Sequence, residues 1–149
     1  MKLFESKIVD TDVGSETKII QPVNIYGCQI GNNSFVGPFT EIQKDVYIGN
    51  FVKIQSHSFI CELVSIGDHS FIGHGVMFIN DTFQFGRPAR GDKSKWKSTT
   101  IDKNVYIGSN ATILPVNICS NVVIGAGSVV TKDITEPGTY FGNPAKKAK

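Results

Sequence analysis

With 149 residues, 19% of them charged, and a formal net charge of +2, the chain has room for one domain with its own core. It carries too little positive charge for a nucleic-acid binder, whose affinity comes from many phosphate contacts. No apolar run approaches the roughly 20 residues that span a bilayer, and the start, MKLFESKIVD, lacks the apolar stretch of a signal peptide, so a cytoplasmic location without membrane insertion is expected.

Taken in chain order, the predicted elements are short strands on a strict count. Val13, Ile19 and Ile25 lead into Ile30, Val36, Ile42, Ile48, Ile54, Ile60, Ile66, Ile72 and Phe78, which stand six residues apart. Ser34, Thr40, Val46, Val52, Ser58, Val64, Ser70 and Val76 follow four places after the aliphatic residues, and Gly often follows directly, as in IGNNSF and IGDHSF. A second block runs through Ile101, Ile107, Ile113, Ile118, Ile124 and Val130. Cys28, Cys61 and Cys119 are odd in number, far apart and never in a CxxC pair, which fits reduced thiols.

A period of six matches neither a helix nor a simple strand. It matches short strands joined by sharp corners, with one large and one small side chain per segment pointing inward, and Gly supplying the backbone conformations of the corners. Three segments close one triangular coil, and coils pair at about 4.8 Å, so that like side chains stack in columns. Six coils give a prism on the order of 30 Å tall. The expected fold is all-β, a parallel β-helix with one long loop inserted after Phe78.

Folding the sequence on a period of 18 assigns three faces. Ile30, Ile48, Ile66, Ile101 and Ile118 fall on the first, Val36, Ile54, Ile72, Ile107 and Ile124 on the second, and Ile42, Ile60, Phe78, Ile113 and Val130 on the third. The rhythm breaks at Ile25–Gln29, at Ile113–Asn117 and over about 79–100, always on the third face or the corner leaving it. Regular coils serve stacking and departures serve binding, so the third face is the expected functional face. The long excursion holds Arg87, Arg90, Lys93, Lys95 and Lys97 against Asp92, together with Phe83, Phe85 and Trp96. Cations with planar rings suit an anionic, partly planar ligand. They equally suit docking on a neighbouring subunit.

Stacking also gathers polar groups. Lys44, Glu62 and Asn80 share a column at the root of the excursion. His57 stacks with Gly75, which brings it close to His74. His69 belongs to another face.

The repeats, with FIGHGVMFIND, GRPARGDKSKWKSTTI, VYIGSNATILPV, VVIGAGSVVTKDI and FGNPAKK, resemble the hexapeptide-repeat, left-handed β-helix acyltransferases over nearly the whole chain. The FIND and GDKSKWKS stretches are most similar to the N-acetyltransferases of nucleotide-linked 3-amino sugars, the dTDP-3-amino-3,6-dideoxyhexose group above all. The resemblance implies left-handed coils, which general crossover rules alone would not have favoured. It also implies a homotrimer with active sites between prisms, acetyl-CoA as co-substrate and no metal. The product would feed surface polysaccharide synthesis.

By the same resemblance, Asn80 contacts the sugar near its amine, and Glu62, Asp81, Arg87, Arg90 and Trp96 are the other substrate candidates. Asn110, Ala111, Gly125 and Ala126 are candidates for pantetheine, with Lys132, Lys146 and Lys147 for its phosphates, unless AKKAK is a frayed tail. The amine, mostly ammonium at neutral pH, must be deprotonated to attack: either His57 or His74 takes the proton, or the amine arrives neutral and loses its second proton to the departing sulfur. The chain is expected to form a single domain over 1–149, capped by about 134–149. Rival readings are a UDP-linked 3-amino glucuronate N-acetyltransferase, an O-acetyltransferase of a small hydroxyl substrate, a non-catalytic scaffold, and a γ-class carbonic anhydrase whose three histidines would hold zinc.

Overall fold

A computed structural model describes residues 1–149 as a stack of triangular coils built almost wholly from two- and three-residue strands. The strands form three sheets of six, eight and seven members, one per face, parallel except for the last strand of the second. On the first face Ile30 pairs with Ile48, Ile48 with Ile66, Ile66 with Ile101 and Ile101 with Ile118. The second face runs Val36, Ile54, Ile72, Ile107, Ile124. The third includes Ile25, Ile42 and Ile60, then Phe78, Ile113 and Val130. All three columns are those expected from the count of six. The third face reaches one strand further, to Ile8–Val9, so the stack has about seven turns rather than six.

The aliphatic columns are sealed: Ile42, Ile48, Ile54, Ile60, Ile66 and Ile72 are all fully buried. The small inward residues add polar stitching between coils. Ser34 Oγ donates to the Gly49 carbonyl at 3.1 Å and accepts from Val52 N at 3.0 Å. Ser58 Oγ donates to the Gly73 carbonyl at 2.9 Å. No buried side-chain nitrogen or oxygen is left without a partner, as a stable interior requires.

The glycines do a different job from the one expected. Gly31, Gly49, Gly67, Gly73 and Gly108, which follow the aliphatic residues, do not have positive φ. A Cβ on Gly73 would lie 2.6 Å from Ser109 N and 2.8 Å from the Ile107 carbonyl. These glycines let the next coil approach. The left-handed corner conformation falls mainly on other residues, among them Asn33, Phe51, His69, Asn104 and Asn121 along one edge. Asn bears that conformation at little cost. Where Phe and His bear it they stack: Phe51 on His69 at 4.8 Å and Phe39 on His57 at 4.9 Å between ring centroids.

The excursion leaves after Phe78 and returns by Thr99, which pairs with Val64. It is therefore slightly shorter than 79–100, and it closes without shifting the register of the first face. At the other end the chain folds back: Gly138–Phe141 joins the second face and pairs antiparallel with Lys146–Lys147. The AKKAK stretch is held in this hairpin instead of fraying.

Candidate functional site

The root of the loop is the most elaborated place on the prism. Asp81 sits just past the third-face strand Met77–Phe78, and its carboxylate accepts from Phe83 N at 3.0 Å and from Ala89 N at 2.7 Å. Asp81 thus fastens the loop to itself, a structural duty that the substrate assignment did not foresee. Asn80 O accepts from Lys97 N at 3.0 Å, and Asn80 Nδ2 donates to the Glu62 carbonyl at 3.3 Å. That bond fixes the amide and leaves Asn80 Oδ1 without a donor from the protein. A cleft of about 250 Å³ opens beside it, lined by Phe59, Phe78, Ile79, Asn80, Asp81 and Phe83.

Glu62 is only 12% exposed at its side chain, and its Oε2 holds the Lys93 ammonium at 2.5 Å. Lys44 does not reach it. Lys44 lies over Gly27 instead, so the column supplies a neighbour for Glu62 but not its ionic partner. Lys93 follows Asp92, whose carboxylate accepts from Ser94 N and Ser94 Oγ and pairs with Lys95 at 3.1 Å. The Ser94 hydroxyl and then Lys95 hold the Asp92 carboxyl below the usual carboxylate range, and Glu62 raises the Lys93 ammonium. Lys93 also lies 5.6 Å from the Trp96 ring and Lys95 5.7 Å from Phe85. Two of the five loop cations are therefore spent inside the protein. Arg87, Arg90 and Lys97 have no carboxylate partner among the chain's ion pairs.

Below Glu62 a polar strip continues across the face. Gln43 Oε1 accepts from Glu62 N at 3.3 Å, and Gln43 Nε2 donates to Glu41 at 2.8 Å. Burial, then Glu41 and Glu62, push the nearby Tyr26 phenol up, so it stays an O–H donor. Burial pushes the Cys61 thiol up to about 12, which makes it inert as a nucleophile. Gln43 and Tyr26 escaped the sequence reading, and so did the pairing of Lys93 with Glu62. Lys93 reaches Glu62 from an aperiodic loop, and no repeat count registers such a contact.

His57 and His74 lie exposed on the corner at the opposite edge of the third face. They are neighbours, as expected, through Ser56 Oγ, which contacts His74 Nδ1 at 2.9 Å. Within one chain, however, they do not meet Asn80. The width of the face, on the order of 15 Å of extended backbone, lies between. His69 stacks on Phe51 at a different corner, and no group of three His, Cys, Asp or Glu is gathered for a metal.

Of the pantetheine candidates, Asn110 and Ala126 are exposed at successive coils of the same corner. Ala111 is fully buried, donates to Gly108 O and accepts from Met77 N. Gly125 donates to Tyr140 O and accepts from Ser128 N. Both have spent their backbone groups on the stack. Lys132 and Lys146 are exposed without an ionic partner, whereas Lys147 is tied to Glu136 at 2.9 Å.

Residues 27–62 match the family described as bacterial transferase hexapeptide (six repeats), and residues 98–132 match the hexapeptide repeat of succinyl-transferase. Two stretches of the chain thus match hexapeptide-repeat models. It is similar to a hexapeptide-repeat containing acetyltransferase of Vibrio cholerae solved with acetyl coenzyme A, at 26% identity and a TM-score of 0.70 over 83% of this chain and 70% of that one. It is similar also to a variant of AntD, an N-acyltransferase from Bacillus cereus solved with dTDP-4-amino-4,6-dideoxyglucose and coenzyme A. There the identity is 25% and the TM-score 0.71, over 94% of this chain and 82% of AntD. These likenesses give the coil its hand, that of the left-handed parallel β-helix.

Galactoside O-acetyltransferase of Lactococcus lactis is 49% identical over 49 residues, 32% of this chain and 24% of that protein. The chain spans about a quarter or less of the length of the curated relatives it matches.

Proposed function

We propose that the protein is an acetyl-CoA-dependent N-acyltransferase of a nucleotide-linked amino sugar. The observation that carries the reading is the loop root: a fixed Asn80 beside a cleft, on a loop whose Arg87, Arg90 and Lys97 find no carboxylate in the chain. Unpaired guanidinium groups on a loop that also carries an indole suit a diphosphate and a base. An O-acetyltransferase of a small sugar has no use for them. The likeness to AntD, solved with a dTDP-amino sugar and coenzyme A, supports the same class of substrate.

In this reading Asn80 Oδ1 accepts a hydrogen bond from the sugar amine and Arg87 and Arg90 take the phosphates, with Trp96 against the nucleotide. Coenzyme A supplies the acetyl thioester. The residues that fit it are Asn110 and Ala126 at exposed corners, with Lys132 and Lys146 for its phosphates. The protein acts as a homotrimer in the cytoplasm, one prism lending its third face and the next its corner, in the making of surface polysaccharide.

The favoured substrate is a dTDP-linked 3-amino-3,6-dideoxyhexose, on the strength of the FIND and GDKSKWKS motifs. A 4-amino sugar is the second reading, because the AntD complex holds one. A coenzyme A release assay over dTDP-, UDP- and GDP-linked 3-amino and 4-amino sugars, with galactoside and serine as hydroxyl acceptors, tests both. Turnover of the 3-amino dTDP sugar is expected. Turnover of hydroxyl acceptors alone overturns the reading.

A further inference from the structure

Glu62 is in an unusual position for a carboxylate. It is 12% exposed at the foot of the loop, one coil below Asn80. A carboxylate so placed is strongly disfavoured unless a cation stays beside it. The cation that does so, Lys93, arrives from the loop on a long stem and is itself 54% exposed. The two partners are thus unequal. Glu62 is held by the coil, with its backbone N–H on Gln43 and its carbonyl on Asn80, whereas Lys93 can swing into water at little cost. Moreover, the group on Glu62 is an alkyl ammonium, the same species that a protonated amino sugar presents at neutral pH.

We propose that Glu62 is the ammonium-recognition group of the site and that Lys93 occupies the substrate's place until the amino sugar displaces it. This rests on the amino-sugar reading and deepens it, giving the reason the site selects an amine over a hydroxyl. The incoming ammonium donates to the Glu62 carboxylate and to Asn80 Oδ1, two acceptors rooted on adjacent coils and joined by the Asn80–Glu62 bond. A hydroxyl in the same place offers one proton and no charge, and would leave a buried carboxylate unpaired. Lys93, once released, faces the same loop as Arg87 and Arg90 and adds a third cation for the phosphates.

The alternative is that the ion pair is a strut that merely holds the loop down. The two predict different outcomes. Calorimetric titration with dTDP-3-amino-3,6-dideoxyglucose and its 3-hydroxy counterpart gives an amine-over-hydroxyl ratio for each protein. Glu62→Gln should lower that ratio about tenfold or more, as loss of one charge-assisted hydrogen bond does. Lys93→Met, which keeps an unbranched stem but no charge, should raise it severalfold by removing the competitor. Should Lys93→Met fail to fold with Glu62 unpaired, the double variant Glu62→Gln/Lys93→Met must match Glu62→Gln in its ratio. If the two single variants weaken both ligands alike and leave the ratio unchanged, Glu62–Lys93 is a strut and the inference is overturned. If the wild type binds neither ligand, nor their 4-amino and UDP- or GDP-linked forms, the amino-sugar reading itself has failed.

Discussion

The coils and the loop satisfy their backbone groups in opposite ways. On the coils most N–H groups find a carbonyl on the neighbouring turn, as Gly31 N does on Ile48 O and Gly49 N on Ile66 O, and side chains take over only at corners, as Asn50 Oδ1 does for Asn32 N. In the loop the work falls to a few side chains: Asp81 takes two backbone N–H groups, Asp92 caps the short turn Lys93–Lys95, and Glu62 receives Lys93. The coil is therefore robust to changes on its surface and brittle wherever coils touch. The loop is tolerant of length and dependent on three carboxylates.

The sharpest way to break this comparison sets two glycines against each other. A Cβ at Gly73 would meet Ser109 N at 2.6 Å, while one at Gly86 in the loop meets nothing within 4 Å, although Gly86 has φ +68°. Gly73→Ala should cost on the order of 1–3 kcal/mol by overpacking between coils. Gly86→Ala should cost about 1 kcal/mol or less, from its left-handed backbone alone. Urea melts measure both, and a reversed order would mean that the coils are not the rigid part.

Next in size is removal of the loop. Replacing residues 84–98 by a short Gly/Ser turn should change stability little, because loop length costs only logarithmically, provided Glu62→Gln is made in the same protein. Without that partner change the truncation strands a buried carboxylate, and the melt should fall well below that of the protein carrying both changes. In the stable form, binding of nucleotide sugar should be lost while coenzyme A binding persists. Retention of both would make the loop a docking element only.

The columns of the coil were legible because stacking repeats the same local problem every turn. Ile60 and Ile72 could be placed from a count of six, as could the neighbourhood of Asn80 and Glu62. The glycines were misread for a physical reason. A count reveals that a residue must be small, but not whether the demand comes from its own φ or from the next coil. The loop was legible only in composition. That Lys93 is bound while Arg87 and Arg90 are free depends on where Asp81, Asp92 and Glu62 point, and nothing periodic encodes it.

Asn80→Ala sharpens the contrast at the point where the two regions join. Asn80 belongs to the coil's rhythm but its amide serves the loop root, bonding only the Glu62 carbonyl. The columns of the core are untouched, so the melt should stay near that of the wild type. If Asn80 orients the amine, kcat/KM for the amino sugar should drop by about 10- to 1000-fold, with KM for acetyl-CoA steady. Full activity would move the amine away from the loop root.

The smallest effects are expected from the histidines, and they test whether one chain is the whole site. His57 stacks on Phe39 and His74 bonds Ser56, both on the corner across the third face from Asn80. From there neither can take a proton from an amine at the loop root of the same chain. His57→Ala and His74→Ala should each keep kcat/KM within about tenfold and leave its pH profile in place, one ammonium proton then leaving to solvent before attack and the second on the departing coenzyme A sulfur. A general base would contribute about 10²–10⁴-fold and impose its own titration on the profile. If His74→Ala shows that collapse, the histidine must reach the amine from a second prism. Mixing His74→Ala with Asn80→Ala subunits should then restore activity, because each mixed interface could pair an intact histidine with an intact Asn80. Collapse without rescue by mixing would instead require the loop of one chain to fold back across its own third face.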